Sequence, residues 1–304
     1  MKILLLGDLH LRYKGPSSRK DDFFQTQFNK FTQVVNIYRE EGCELFLQAG
    51  DFFDNPKPPN FLMARYISLL KEREIVVCSV LGQHDVSMHN LGSAERSAVN
   101  VFRSSGVMHT LSSSGMKIGG LDIYGCSWKE NVPTPQRNSR AILVIHEMIG
   151  DRPLYPGHQP IRPKSFLHTH SGYELILCGD YHYSFFAKEG NRKIVNCGAL
   201  VRLNTKVTDL EIEPQVAIYD TETRELTFRK LKFAPPEEVF RLNSEKREEK
   251  EASIVEFVER LKGQMDVTVS FRDNLLRYFE EKGVESSVKG HILEVLEEVG
   301  VKVG

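Results

Sequence analysis

No stretch of this chain comes near the ~20 consecutive apolar residues that a membrane-spanning helix requires, so an integral membrane protein is not expected. Met1–Leu6 is too short for the apolar core of a secretory leader, about 7–15 residues. Gly7-Asp8 follows it, and the segment is read as a buried first strand. Cysteine is scarce: five residues, an odd number, widely spaced and with no Cys-x-x-Cys. That excludes a disulfide-stapled mini-protein and a zinc knot, and it suits free thiols in a reducing cytoplasm. Charge of one sign is also missing. The net charge is −1; residues 232–304 hold 12 Lys+Arg against 16 Asp+Glu, and residues 1–231 hold 28 against 25. Neither part is a strongly basic nucleic-acid footprint, so any DNA binding must come from local patches. There is no internal repeat and no low-complexity segment. Hydrophobic residues at 40% and charged residues at 27% are ordinary for a globular protein.

What is present is an alternation. Short apolar runs, Ile3–Leu6, Leu45–Ala49, Ile75–Leu81, Ala141–Ile145, Leu175–Cys178 and Ile194–Cys197, read as strands buried on both faces. Between the first two, Phe24, Phe28, Phe31, Val35 and Tyr38 recur at helical spacing. Asp21 or Asp22 serves as the N-cap and Gly42 as the stop. Phe61–Arg73 and Ser93–Phe102 read as further helices, and Leu121–Trp128 as another strand. Strand–helix alternation predicts an α/β layered fold. After residue 205, Val216–Asp220 and Leu226–Phe233 flank the turn sequence 221–225 and read as a hairpin. Ala234-Pro235-Pro236 then marks a boundary. The expected division is a domain over 1–234 and a small α+β domain over 235–304. The latter has helices at Ser253–Lys262, Asn274–Lys282 and Val288–Val299 around a strand at Val267–Phe271.

The chemistry lies in what ends each buried strand. The endings are Gly7-Asp8-Leu9-His10, Gly50-Asp51-Phe52-Phe53-Asp54, Gly82-Gln83-His84-Asp85, His146, and Gly179-Asp180-Tyr181-His182. In α/β sheets the carboxyl edge is where sites form. Carboxylate, imidazole and amide oxygen together suit divalent Mn, Fe or Zn, with Mg as a further option. One ion would not use all these donors. Two ions about 3.5–4 Å apart, bridged by a carboxylate, would. One Gly-Asp-x-His alone is more often structural, but five such endings in order are hard to reach by chance.

This series resembles the calcineurin-like metallophosphoesterases, whose motifs run Gly-Asp-x-His, Gly-Asp-x-x-Asp, Gly-Asn-His-Asp, a lone His and Gly-His-x-His. The resemblance covers residues 1 to about 235. Within that superfamily the chain is similar to the SbcD-type DNA nucleases of double-strand-break repair. The features that carry this are Gly50–Pro56, the run His146-Glu147-Met148-Ile149-Gly150, and the small domain after residue 235. The resemblance implies a layered β-sandwich flanked by helices, with the C-terminal domain capping the active-site edge. It implies that Asp8, His10 and His182 hold a first metal, that Asp51 bridges, and that Gln83, His146 and Asp180 hold a second. His84 would face the substrate phosphate and protonate the leaving oxygen, with Asp54 orienting it. It further implies a metal-dependent DNA exonuclease, with endonuclease action as an additional option, an SbcC-type coiled-coil ATPase partner and a homodimeric state. Two positions depart from the family pattern: Gln83 stands for Asn, and Asp180 for the first His of the last motif. The added carboxylate makes the site richer in oxygen and favours Mn²⁺, or Mg²⁺, over Zn²⁺. The departures also leave open a weakened second site.

Other readings stay open at this point. The motifs do not separate a nuclease from a phosphatase or small-molecule phosphodiesterase, nor from a degenerate interaction protein. The cluster Arg12, Lys14, Arg19 and Lys20 after the first ligands is either a DNA-phosphate contact or an ordinary solvated loop. His168 and His170 are expected in a loop at the wrong end of their strand. The stripe Ile292, Val295, Leu296 and Val299 serves either core packing or a partner.

Overall fold

The computed structural model describes residues 1–154, 158–203, 210–241, 276 and 278–280. The first half builds strands β1 (Lys2–Leu6), β2 (Leu45–Gln48), β3 (Val77–Ser79) and β4 (Met108–Thr110). They alternate with helices α1 (Phe23–Glu40), α2 (Asn60–Glu72) and α3 (Ala98–Ser104). Strands β5 (Met116–Ile118), β6 (Leu121–Cys126), β7 (Ala141–His146), β8 (Leu175–Gly179), β9 (Phe185–Glu189) and β10 (Arg192–Asn196) follow, with α4 (Pro163–Thr169) before β8. The hairpin β11 (Gln215–Asp220) and β12 (Leu226–Lys230) comes last.

These strands make two six-stranded sheets, ordered β12-β11-β1-β2-β3-β4 and β5-β6-β7-β8-β10-β9. The strands from β1 to β4 are parallel, and the hairpin adds antiparallel to β1. In the second sheet β6, β7, β8 and β10 are parallel, with antiparallel edges. Residue parity assigns the layers. Ile3 and Leu5 join Leu47, Val144 and Leu177 in the core between the sheets. Leu4 and Leu6 face the other way, into the core with Phe31, Val34 and Tyr66 from the helices. A third core, with Ile145, Phe166 and Ile176, lies under α4. Each such fully buried aliphatic side chain contributes about 1.5–3 kcal/mol. The fold is thus an α/β β-sandwich flanked by helices.

Helix α1 begins as expected: the Asp22 carboxylate accepts from Gln25 N at 3.0 Å. It stops before Gly42, at φ +66. Its buried face is rotated from the aromatic stripe and includes Gln27 and Lys30. Phe24 and Phe28 instead meet α2, where Arg65 lies 3.9 Å over the Phe28 ring. The helix expected over Ser93–Phe102 is broken. A 3₁₀ segment spans Leu91–Arg96, Ser97 is extended, and α3 starts at Ala98. The break has a partner: Ala98 N donates to Pro56 O at 2.8 Å.

The chain divides into two compact units, Met1–Leu242 and Asn243–Gly304. A helical turn, Pro236–Val239, packs in the first, where Phe240 bridges to Arg19. In the second, residues 276 and 278–280 are helical. The rest of the expected helices and the strand Val267–Phe271 lie outside the described residues.

Candidate metal centre

The ligand candidates converge although they come from both sheets. β1, β2 and β3 of one sheet, and β7 and β8 of the other, end at the same edge of the sandwich. The crossing is tight. Gly50 has φ +90, and a Cβ there would sit 2.6 Å from His146 Nδ1. A Cβ on Gly179 would sit 2.6 Å from Asp8 Oδ1. Only glycine permits both approaches. His10, Asp51 and Asp180 themselves hold positive φ, at 46, 48 and 74. Three non-glycine residues in that region at one edge mark strain held by the surrounding structure.

Two groups of donors meet at this edge. Asp8, His10 and His182 have ligand atoms within 4.8 Å of one another, and so do Asp51, His146 and Asp180; a further such group, His10, Asp54 and His84, overlaps the first. His10 Nε2 and His182 Nε2 stand 3.0 Å apart. Asp51 Oδ2 lies between the groups, 3.7 Å from His10 Nε2 and 3.4 Å from His146 Nε2. Gln83 joins the second group: its Oε1 is 2.9 Å from His146 Nε2, and its Nε2 donates to Asp180 Oδ1 at 2.7 Å. The two departures from the family pattern therefore face each other.

This donor set fits divalent cations. Asp8 Oδ2 and Asp51 Oδ2 are buried and have no hydrogen-bond partner. Buried acceptors are rarely left so, and a cation between them satisfies both. Burial lifts the Asp8 carboxyl well above the ordinary range and pushes the His10 imidazole well below its own. Neutral imidazole is the form that ligates. Burial also works against the charged forms of Asp51 and His146, but their proximity outweighs it. Asp51 is held at about 2, and His146, which also faces Asp8 and Asp180, at about 10. His146 Nδ1 is 2.6 Å from Ala49 O. That contact fixes the ring and turns Nε2 toward the carboxylates.

His84 stands beside these groups. Its backbone N donates to Asp51 Oδ1 at 2.9 Å. Its Nδ1 is 3.0 Å from the main-chain carbonyl of Asp54. The side chain of Asp54 was expected in that place; its carboxylate instead takes Arg12, at 3.2 and 3.3 Å. Asp54 touches His84 through its backbone because Arg12, two residues after His10, claims the carboxylate.

The basic cluster divides. Lys14 and Lys20 are exposed. Arg19 is 8% exposed, clamped by Asp21 at 2.6 and 2.8 Å and bonded to Arg202 O. It is an internal residue, not the open-loop cation expected. His168 lies in the last turn of α4 and His170 caps it, so both belong to a helix end rather than a loop.

Four buried polar residues escaped the sequence reading. Gln48, at the end of β2, donates to Gly7 O and Gly50 O and so ties the Asp8 and Asp51 loops together. Asp85 accepts from Phe53 N and Gly82 N, both at 2.9 Å, and joins the Asp51 loop to the His84 loop. Gln27 donates to the carbonyls of Leu9 and His10. Asn196 donates to Tyr181 O at 2.6 Å, beside His182. The available signal was slight: Gln48 and Asn196 are amides at the ends of apolar runs, two residues before a glycine.

A β-sandwich with two carboxylate–imidazole groups at one edge is the frame of a metal-dependent phosphoester hydrolase. The chain belongs to the calcineurin-like phosphoesterase family, whose model matches residues 1–198. It is 26% identical over 216 residues to the DNA double-strand break repair protein Mre11 of Sulfurisphaera tokodaii, covering 65% of this chain and 53% of that one. It is 23% identical over 197 residues to the protein of the same name from Sulfolobus acidocaldarius, covering 60% and 50%. The chain thus spans about half the length of these curated relatives. One solved structure superposes with a TM-score of 0.51 at 12% identity, over 76% of this chain and 99% of that one. That likeness concerns the fold alone.

Proposed function

We propose that the protein is a two-metal DNA nuclease, a phosphodiesterase with exonuclease action in double-strand-break repair and endonuclease action as an additional option. The observation that carries the reading is Asp51. Its Oδ2 has no hydrogen-bond partner and lies 3.7 Å from His10 Nε2 of one donor group and 3.4 Å from His146 Nε2 of its own, while its Oδ1 holds the backbone of His84. The similarity to the two repair proteins supports DNA as the substrate. In this reading Asp8, His10 and His182 hold one ion, Gln83, His146 and Asp180 the other, and Asp51 both. Mn²⁺ is the preferred metal, since carboxylate and amide oxygens favour the harder ions. Bound cations supply Lewis-acid polarisation of the phosphoryl oxygens and acidify water. The remaining work falls to the chain. His84, steered by Asp54 O, protonates the leaving oxygen, and an imidazole suits that task near neutral pH. Arg12 holds the Asp54 carboxylate, one oxygen of which lies within 4.8 Å of a ring nitrogen of His84. Lys14 and Lys20 are the exposed cations left to meet DNA phosphates.

A small C-terminal domain that helps to choose the substrate is part of this proposal. The partners are DNA, an SbcC-type coiled-coil ATPase and a second copy of the chain. Five free, buried cysteines are consistent with a reducing cytoplasm. No helix among the described residues is long and apolar enough to cross a membrane.

The test compares p-nitrophenyl phosphate, bis-p-nitrophenyl phosphate and end-labelled duplex, each with Mn²⁺. Cleavage of the duplex and the diester is expected. Hydrolysis of the monoester alone would make the protein a phosphatase. No turnover and no bound metal would make it an interaction protein.

A further inference from the structure

The edge that carries the donor groups also carries an exposed aromatic cluster. Tyr13 lies three residues after His10, and Phe24 and Phe61 stand in the first turns of α1 and α2. Each of these helices returns between parallel strands, so each starts at the strands' carboxyl edge. The three rings pack edge to face. Their centroids are 4.9 Å apart for Tyr13 and Phe61, 5.9 Å for Tyr13 and Phe24, and 5.6 Å for Phe24 and Phe61. Yet Tyr13 is 48% exposed and Phe61 50%. Rings that only packed α1 on α2 would be covered, as Phe31 and Tyr66 are.

The cluster is pinned to the metal centre. Leu11 N donates to Phe52 O at 3.0 Å and Asp54 N to Leu11 O at 3.2 Å, so the segment from His10 to Tyr13 is zipped to the one that ends at Asp54. Arg12 N donates to Gln27 Oε1 at 3.0 Å. Three residues span at most about 11 Å, which puts the Tyr13 Cα within roughly three base steps of 3.4 Å from that of His10. On the far side Arg65 lies 3.9 Å over the Phe28 ring and 5.1 Å from that of Phe24, and donates to Gln25 Oε1 at 2.8 Å.

Residues 11–28 and 54–66, which build the cluster, hold six cations and three carboxylates. Asp21 is taken by Arg19 and Asp54 by Arg12, and Asp22 caps α1. Lys14, Lys20, Lys57 and Arg65 remain, the three lysines exposed. Aromatic surface set among cations is what single-stranded nucleic acid stacks on. Two half-exposed rings offer on the order of 200 Å², well short of the ~800 Å² that each partner gives to a stable interface, so the patch by itself does not fit a second copy of the chain. We infer that Tyr13 and Phe61 form a stacking platform for an unpaired base of the DNA strand that enters the metal centre. This rests on the reading of the protein as a DNA nuclease and gives it a substrate preference: strands with free bases, such as overhangs and opened ends, over fully paired duplex.

The experiment uses the full chain in chelator, so that nothing is cut. A single-stranded oligonucleotide, the same strand made abasic, and the blunt duplex are titrated by fluorescence anisotropy. The intact single strand should bind most tightly. Tyr13→Leu and Phe61→Leu keep apolar bulk without the ring. Each should weaken binding of the intact strand by about 5- to 150-fold, the scale of one lost base–aromatic stack, and leave binding of the abasic strand within about twofold. Tyr13→Trp and Phe61→Tyr should retain the wild-type preference. The salt dependence of binding should be the same in the leucine variants as in the wild type, because stacking releases no counterions. The inference is overturned if intact and abasic strands bind equally, if the leucine variants bind as wild type does, or if those variants change the subunit mass in sedimentation without changing DNA binding, which would assign the patch to a second copy. Failure of the wild type to bind any strand would overturn the platform and the nuclease reading together, whereas binding indifferent to bases and rings overturns the platform alone.

Discussion

Replacing Asp85 by alanine should destabilise the metal-free protein by an amount that shrinks as pH rises. The carboxyl is fully buried and accepts two backbone N–H groups, from Phe53 and Gly82. Leaving two buried donors without acceptors costs about 1–3 kcal/mol each, so ~2–6 kcal/mol in all. A second effect opposes this. Burial first, and then the charge of Asp51, raise Asp85 to about 7 from its ordinary 3.8. Between those values the folded state binds the proton that the unfolded chain has released, so wild-type stability falls as pH rises. At ~1.36 kcal/mol per pH unit, with the slope halved at the folded value, the wild type loses about 2.3 kcal/mol from this residue between pH 5 and pH 7. The alanine variant has no such proton and does not share the loss. The gap between the two proteins should therefore narrow by about 2.5 kcal/mol between pH 5 and pH 7.5. Urea denaturation in chelator, followed by the single tryptophan, Trp128, reads the first unit directly. A gap constant to within ~1 kcal/mol over that range would refute the raised carboxyl. Full Mn²⁺ occupancy and wild-type turnover in the variant would show that Asp85 does not hold the ligand loops.

Asp51→Ala should lose metal and activity together, measured by elemental analysis and duplex cleavage; wild-type-like Mn²⁺ turnover would remove Asp51 from the centre. His84→Ala should keep its metal while DNA hydrolysis falls by roughly 10²–10⁴-fold, the scale of a lost general acid, and loss of metal in step with activity would make His84 a ligand. Asp180→Ala should lower metal stoichiometry, and Asp180→His should shift preference toward Zn²⁺, imidazole being the softer donor; unchanged stoichiometry and preference would mean that Asp180 points elsewhere once metal is bound. Metal loading at pH 7.5 should release about one proton from His146, which is held at about 10, where an ordinary histidine would release about a tenth of one. Titrations in two buffers of different ionisation enthalpy measure this, and release below about a third of a proton would contradict it.

Much of the donor set could be read from one dimension. Asp8, His10, Asp51, His146, Asp180 and His182 follow apolar runs, and a strand buried on both faces places whatever follows it at the sheet's edge. The helical period and Asp22 marked α1 for the same kind of local reason. Short edge strands such as β4, β5 and β9 carry too few residues for a period to show. The break at Ser97 depends on Pro56 O, a partner some forty residues away. Arg19 and Arg12 look alike as loop cations, yet distant partners separate them. Arg202, Phe240 and Asp21 enclose Arg19, while Asp54 draws Arg12 to the site. Local pattern thus determined which residues end the strands and what chemistry they carry. Tertiary structure alone decided that two sheets share one edge, that Asp51 lies beside both donor groups, and that Arg19 is buried against Asp21. Each of these depends on side chains brought together from far apart in the chain, and the free energy of a charge or a hydrogen bond is set by what surrounds it after folding.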